Sequence, residues 1–211
     1  MKVAFAIKSC HKNADRRKAQ METWIPQLNE DFFFIIGNPT PSDGGPVVLD
    51  SLACNVSDSF SDIAPKVLFA CEYALDSNIT NLCVLDDDTY VVPSRMMKSG
   101  FEKFDYFGFV RNYDIIPYMQ GSCYWLSERA MERMLMQKDL LVPGVPDDVA
   151  VGRTLRGRVP FTHEHRFAIG ETEPSPERRP LPTNDIISCH KCHPLFMRAV
   201  HEPWRNTTVT V

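Results

Sequence analysis

Continuous apolar runs alternate along the chain with stretches in which apolar residues recur at helical spacing, the pattern of an α/β sheet. Residues 3–7 form a short apolar run and predict a buried first strand. Residues 14–28 predict a helix with Met21, Trp24, Ile25 and Leu28 on one face. Residues 32–36 read Phe-Phe-Phe-Ile-Ile, a second strand closed by Gly37, Asn38 and Pro39. A Pro/Gly/Ser loop is expected over 40–46. A helix over 61–76 follows, with Ile63, Val67, Ala70 and Ala74 in register. Residues 81–85 are another apolar run. Pro93 opens a helix to about residue 104. Strands are expected at 106–110 and 122–126, and Ser127 is placed to cap a helix reaching 136. A compact helix starts near Asp147, a proline-rich charged loop spans 171–182, and 194–201 is a last helix. One domain over 1–205 is expected, with a polar tail at 206–211 that reads as a cut from a longer chain.

The run 81–85 ends directly on Asp86, Asp87 and Asp88. Three carboxylates at the end of a buried strand repel one another unless a cation sits among them. A divalent metal with oxygen ligands is the simplest such cation, and at the carboxyl edge of an open sheet it serves to bind phosphate. A solvated acidic loop or a helix cap is the plain alternative.

Composition narrows the field. The chain has 211 residues, 44% of them hydrophobic and 24% charged, and a formal net charge of -4. Nucleic acid as a partner is not expected, because it calls for a basic face. No apolar run is long enough for a membrane span, and the first residues do not make a signal peptide, so a cytoplasmic protein is expected. Seven cysteines scattered through apolar stretches then read as buried thiols.

Separate segments resemble, in order, the fringe-like and β-1,3-galactosyltransferase group of glycosyltransferases. Residues 16–24 look like its Arg-rich helix ending in Thr-Trp, and 32–37 like its second strand. Asp58-Ser59-Phe60 through Lys66 looks like its Asp-Ser-Tyr…Lys segment. Asp86-Asp87-Asp88 looks like its acidic metal motif, and 117–127 like its Pro-Tyr…Gly…Tyr-x-Leu-Ser segment. Residues 146–152 resemble its acidic-Asp-Val-x-x-Gly motif, and His190 with Pro194 and Met197 its C-terminal His-x-x-x-Pro-x-x-Met. Ser122 and Cys123 stand where the group usually has glycine, which puts its sugar specificity in doubt here. The chain shows no anchor or stem, and so looks microbial or viral; it also resembles, less closely, glycosyltransferase domains of large algal DNA viruses.

The resemblance implies a fold of the GT-A nucleotide-sugar-binding type, with a mixed, mostly parallel central sheet flanked by helices. It implies an inverting transfer from a UDP-sugar to a hydroxyl of a glycan or glycoprotein acceptor by single displacement; the oligomeric state stays open, with a monomer expected. Asp88 is then the metal ligand, with His190 and Asp86 completing the shell; imidazole favours manganese, with magnesium as the alternative. Asp148 is the expected general base, because a sugar hydroxyl must lose its proton as the bond forms. Asp147 is the other candidate, or a cap for the helix it opens. Ile7, Lys8, Ser9, Arg16, Lys66, Asp86, Asp87, Gly121 and Ser122 are expected around the donor, whereas Arg17 and Lys18 read as a solvated helix face. Two other functions fit parts of the pattern. A metal-dependent phosphohydrolase would use the same acidic strand end. A zinc-stabilised binding module would use Cys189, Cys192 and His193 with His163 or His165.

Overall fold

The centre of the sheet is set by two strands that are apolar on both faces, β1 (Val3–Lys8) and β4 (Asn81–Asp86). They pair in parallel with Ile7 opposite Leu85 and Lys8 opposite Asp86. Such runs of unbroken hydrophobicity belong between two layers of helices. In the computed structural model, which describes residues 1–37, 51–59, 62–141, 144–168 and 185–205, both faces are covered. Val3, Phe5 and Ile7 point to one side with Trp24, Trp125, Met197 and Trp204. Ala4 and Ala6 point to the other with Val67, Ala70, Met131 and Val151. The helices responsible are α1 (Ala14–Glu22) and α6 (Pro194–Arg205) on the first face. On the second lie α2 (Ile63–Asp76), α4 (Glu128–Met136) and α5 (Asp147–Leu155).

With β2 (Asp31–Gly37), β3 (Ser51–Cys54), β6 (Tyr106–Tyr113), β7 (Ile116–Ser127) and β8 (Phe161–His163), the order is β3-β2-β1-β4-β7-β6-β8. β1, β2, β3 and β4 are mutually parallel, β7 is antiparallel to β4 and β6, and β8 is parallel to β6. This is the mixed, mostly parallel sheet expected. Because β7 runs backwards, Cys123 lies opposite Leu85 and the Gly121 region comes to the carboxyl end of β4. A second sheet of three short strands, β5 (Tyr90–Val91), β10 (Ser188–Cys189) and β9 (Phe167–Ala168), stands beside that edge.

Several elements depart from the periodicity. The helix expected over 14–28 stops at Glu22. Thr23 leaves helical geometry and a 3-10 turn carrying Pro26 follows, so Met21 ends up exposed while Trp24 and Ile25 are buried. The helix after Pro93 is a single turn, α3 (Pro93–Met96), and Gly100 turns the chain with a φ of 80° before a second short turn. β7 extends well upstream of residue 122 to pair with β6. Ser127 does cap α4, its Oγ accepting the Ala130 N–H at 3.1 Å. The loops expected at 40–46 and 171–182 and the tail at 206–211 lie outside the described residues. Among those described, no helix is long and apolar enough to cross a membrane.

Helix α5 carries the Asp147–Asp148 pair, and a glycine sets how closely it lies on β7. A Cβ at Gly152 would stand 2.5 Å from Tyr118 Cβ and 2.7 Å from the Pro117 carbonyl oxygen. Both are backbone or backbone-proximal atoms that cannot swing away. Gly152→Ala is therefore expected to destabilise the fold by about 1–3 kcal/mol, overpacking outweighing the helix propensity gained. Urea denaturation measures it, and a variant as stable as the parent would show that α5 has room to shift.

Candidate active site

Parallel pairing leaves Lys8 and Asp86 side by side at the carboxyl end of the sheet, and the next residues of both strands turn into one space. A cavity of about 310 Å³ opens there. From the expected set it is lined by Lys8, Ser9, Arg16 and Lys66, with Asp86, Asp87, Asp88 and His190. Cys10, Asn13, Asp58 and Ile63 also line it and were not foreseen as site residues. The Ile7 side chain is instead part of the core. Gly121, Ser122, Asp147 and Asp148 are not among the residues that line it.

The three aspartates have separate surroundings. Asp87 is buried, and its carboxylate accepts from Ser9 Oγ at 2.7 Å, Asn13 Nδ2 at 2.9 Å and Arg16 Nη1 at 3.0 Å. It pins the end of β1 and the start of α1 to the acidic turn. Asp86 receives Lys8 Nζ on Oδ1 at 3.0 Å, and its Oδ2 lies 3.6 Å from His190 Nε2. Asp88 Oδ1 lies 3.2 Å from the same nitrogen, while Oδ2 meets Arg16 Nη1 at 3.3 Å. Burial pushes Asp86 up to about 6 despite the Lys8 ammonium, with Asp147 and Asp88 adding to the rise. Burial alone would raise Asp88 too, but His190 and Arg16 outweigh it and hold that carboxyl below its usual value.

His190 arrives from more than a hundred residues away because β10 pairs with β5, setting Cys189 opposite Tyr90. Lys191 adopts a left-handed φ of 57°, and the Cys192 N–H then donates to the Asp88 carbonyl at 2.7 Å. This hydrogen bond fixes the histidine against the acidic turn. The turn itself is braced from inside by Gln20 Nε2 on the carbonyls of Asp86 and Thr89, at 3.3 and 3.1 Å, and by Thr89 Oγ1 on the Ser122 carbonyl at 2.8 Å.

Asp147 does not cap α5; Pro146 holds that position without a side-chain bond. Asp147 turns inward to Lys8, with its Oδ2 2.5 Å from Nζ. Asp148 accepts the Gly121 N–H on Oδ2 at 3.0 Å and the Val149 N–H on Oδ1 at 2.8 Å. Burial and the neighbouring Asp147 raise its pKa, against Lys8 and the two backbone donors. Lys66 is buried on Ser9 O at 2.7 Å and Asp58 Oδ1 at 2.6 Å; Asp58 also accepts the backbone N–H groups of His11 and Gly37. Arg17 is not part of a solvated face: it is 3% exposed and donates to Ser9 Oγ at 2.9 Å and to Cys10 O. Its side chain turns under the helix to brace the first loop, a choice that helical spacing does not encode. Lys18 stays in solvent beside Glu22.

Asp86, Asp88 and His190 each offer one ligand atom, all within 4.8 Å of one another. Among the described residues no cluster forms from Cys189, Cys192 and His193 with His163 or His165. All seven cysteines are free thiols.

The structure is similar to the crystal structure of a glycosyltransferase involved in the glycosylation of the major capsid of PBCV-1, with a TM-score of 0.61 at 12% identity over 96% of this chain and 100% of the other. At that identity the likeness speaks for the fold. Residues 1–106 match the model of the Fringe-like family. The chain belongs to that family, and is a glycosyltransferase. The match includes the acidic turn but stops before Asp147, Asp148 and His190. No curated protein matches the chain.

Arg17→Ala strips hydrogen bonds from Ser9 Oγ and Cys10 O inside the structure and is expected to cost about 1–3 kcal/mol. Lys18→Ala, one residue on, is expected to stay within about 0.5 kcal/mol of the parent. Thermal or chemical melts of the two variants compare them directly; equal melts would return Arg17 to the surface.

Proposed function

We propose that the chain is a metal-dependent, inverting glycosyltransferase that moves a sugar from a UDP-sugar to a hydroxyl of a glycan or glycoprotein acceptor. The observation that carries this reading is the meeting of Asp86, Asp88 and His190 at the mouth of the cavity. The residues present fit a divalent cation. Asp88 Oδ1 is buried without a hydrogen bond of good geometry, and the His190 nitrogen that faces it is Nε2, at 3.2 Å. The carboxylates of Asp58, Asp86, Asp87, Asp88, Asp147 and Asp148 face the cations of Lys8, Arg16, Arg17 and Lys66, an excess of two negative charges. One imidazole among carboxylates suits manganese, with magnesium next. When bound, such an ion supplies Lewis-acid stabilisation of the departing diphosphate.

The rest of the chemistry falls to the chain's own groups. Arg16, 40% exposed at its side chain and facing the cavity, is the cation available to a phosphate oxygen. Asp148 is the general base. Each of its oxygens keeps a lone pair beyond the Gly121 and Val149 bonds, and takes the acceptor proton as the hydroxyl attacks the anomeric carbon. Gly121 and Ser122 let the backbone run close behind the sugar. A Cβ at Gly121 would lie 3.1 Å from Asp148 Cβ, so glycine there also lets the base approach the strand. A two-metal phosphohydrolase calls for two ligand clusters, and among the described residues there is a single one, Asp86, Asp88 and His190.

Calorimetry with UDP, with and without manganese, tests the site. Binding is expected to need the metal, and Asp88→Ala to remove that dependence. UDP binding that ignores manganese would overturn the ligand assignment. Asp148→Asn is expected to cut kcat by about 10²–10⁴-fold with UDP affinity unchanged. A base acts only when ionised, so transfer by the parent is expected to rise with pH through the raised pKa of Asp148 and to fall off below it. Normal kcat in Asp148→Asn would move the base to Asp147.

A further inference from the structure

Lys8 ends β1 beside the acidic turn and lines the cavity, where a free ammonium would be taken for a phosphate ligand. Its ammonium is not free. Nζ lies 2.5 Å from Asp147 Oδ2, 3.0 Å from Asp86 Oδ1 and 3.0 Å from the Gly121 carbonyl oxygen. Two of its three N–H donors are hydrogen-bonded, to Asp147 and Gly121, and the ammonium is ion-paired with Asp86 as well. The residue is 5% exposed, and a donor oxygen would have to displace one of these buried acceptors and leave it unpaired. Arg16, eight residues on, has no such restriction.

The three acceptors come from three elements: Asp86 from the end of β4, Gly121 from β7 and Asp147 from the first turn of α5. Gly121 passes the connection on, because its own N–H donates to Asp148 Oδ2. One cation therefore touches a candidate metal carboxylate on one side and, on the other, Gly121, which bonds the candidate base, and Asp147, the base's neighbour in the chain. By holding Asp86 through Oδ1 it also leaves Oδ2 turned towards His190.

We propose that Lys8 is a positioning residue that fixes the base segment, Asp147–Asp148, against the metal-side carboxylate Asp86, and that it makes no contact with the donor. The proposal rests on the glycosyltransferase reading. It explains why the end of β1, the reversed strand β7 and the start of α5 meet at a single point, and it assigns Asp147 the task of holding that point rather than moving a proton.

Lys8→Met and Asp147→Asn separate positioning from ligand binding. In Lys8→Met, manganese-dependent UDP affinity by calorimetry is expected to stay within about threefold of the parent. Its kcat is expected to fall about a hundredfold, the usual cost of a catalytic group displaced by about 1 Å. The pH profile supplies a readout that a generally loosened fold would not move. Asp148 faces the charges of Asp147 and Lys8, and the tyrosines Tyr118 and Tyr106. Losing the cation is expected to shift the acid limb of kcat to higher pH. Losing the Asp147 charge is expected to shift it lower, with UDP affinity again unchanged and the hydrogen bond to Lys8 kept by the amide oxygen. A tenfold or greater loss of UDP affinity in a folded Lys8→Met whose manganese affinity is unchanged would make the ammonium a donor ligand and overturn the proposal, as would an acid limb that stays in place. Should Lys8→Met not fold, Asp147→Asn decides by the same limb. A parent protein without manganese-dependent UDP binding overturns the reading of the site itself, and the positioning role with it.

Discussion

Crowding of negative charge at one edge of a parallel sheet is the constraint on which the rest of the site depends. Asp86, Asp87 and Asp88 leave β4 together, and the start of α5 adds Asp147 and Asp148 from the opposite wall. Coulomb repulsion between such groups grows as water is excluded. Each carboxylate is accordingly given a partner from another element: Lys8 between Asp86 and Asp147, Arg16 over Asp87 and Asp88, the Gly121 N–H on Asp148. The partners draw β1, α1, β7 and α5 to one point, so the electrostatic problem and the tertiary arrangement have the same solution. What they leave unsatisfied, Asp88 Oδ1 beside His190, is the part of the arrangement that supports a cation.

The topology makes that solution available. An all-parallel sheet would bring only strand ends to this edge. Reversing β7 sends the middle of a strand past it, with Gly121 and Ser122 lying where β4 gives way to the acidic turn. The same reversal gives α5 a strand to lie on, with Gly152 over Tyr118. On the proposed reading the donor-side acidic turn follows β4 and the acceptor-side helix α5 lies on its neighbour β7, so both are anchored to adjacent strands of one sheet, which favours fixed geometry.

Much of this was legible in the chain. The apolar runs at 3–7, 32–36 and 81–85 mark their strands because residues buried on both faces cannot alternate, and Ser127 marks its helix because a cap has a local chemical cause. The acidic turn announced itself by charge alone. The short strands β3, β5, β8, β9 and β10 were not legible: two to four residues carry no period, and their pairing is settled by partners far away in the chain. The same holds for individual side chains. Helical spacing put Arg17 and Lys18 on one solvated face, yet Arg17 folds under the helix to reach Ser9. Lys8 could be placed at the site from its strand, but its saturation by Asp86, Gly121 and Asp147 is a property of three segments that meet only in the fold. Asp58, Asn13 and Cys10 were overlooked because their position in the cavity follows from how loops after β1 and β3 run.

The pairing of β10 with β5 has a consequence for how the site lives in time. His190 is held to the acidic turn by a two-residue strand pair and one hydrogen bond from Cys192. The adjoining α6 is fastened more firmly, through Tyr90 against Trp204 and Arg198 to Glu22. A local opening of the small sheet would withdraw the imidazole while the seven-stranded core stayed folded. An ion shared by Asp88 and His190 opposes that opening by its own binding free energy. On the proposed metal-dependent reading, retention of an ion and closure of this small sheet would be one equilibrium, governed by a few backbone bonds rather than by the stability of the whole protein.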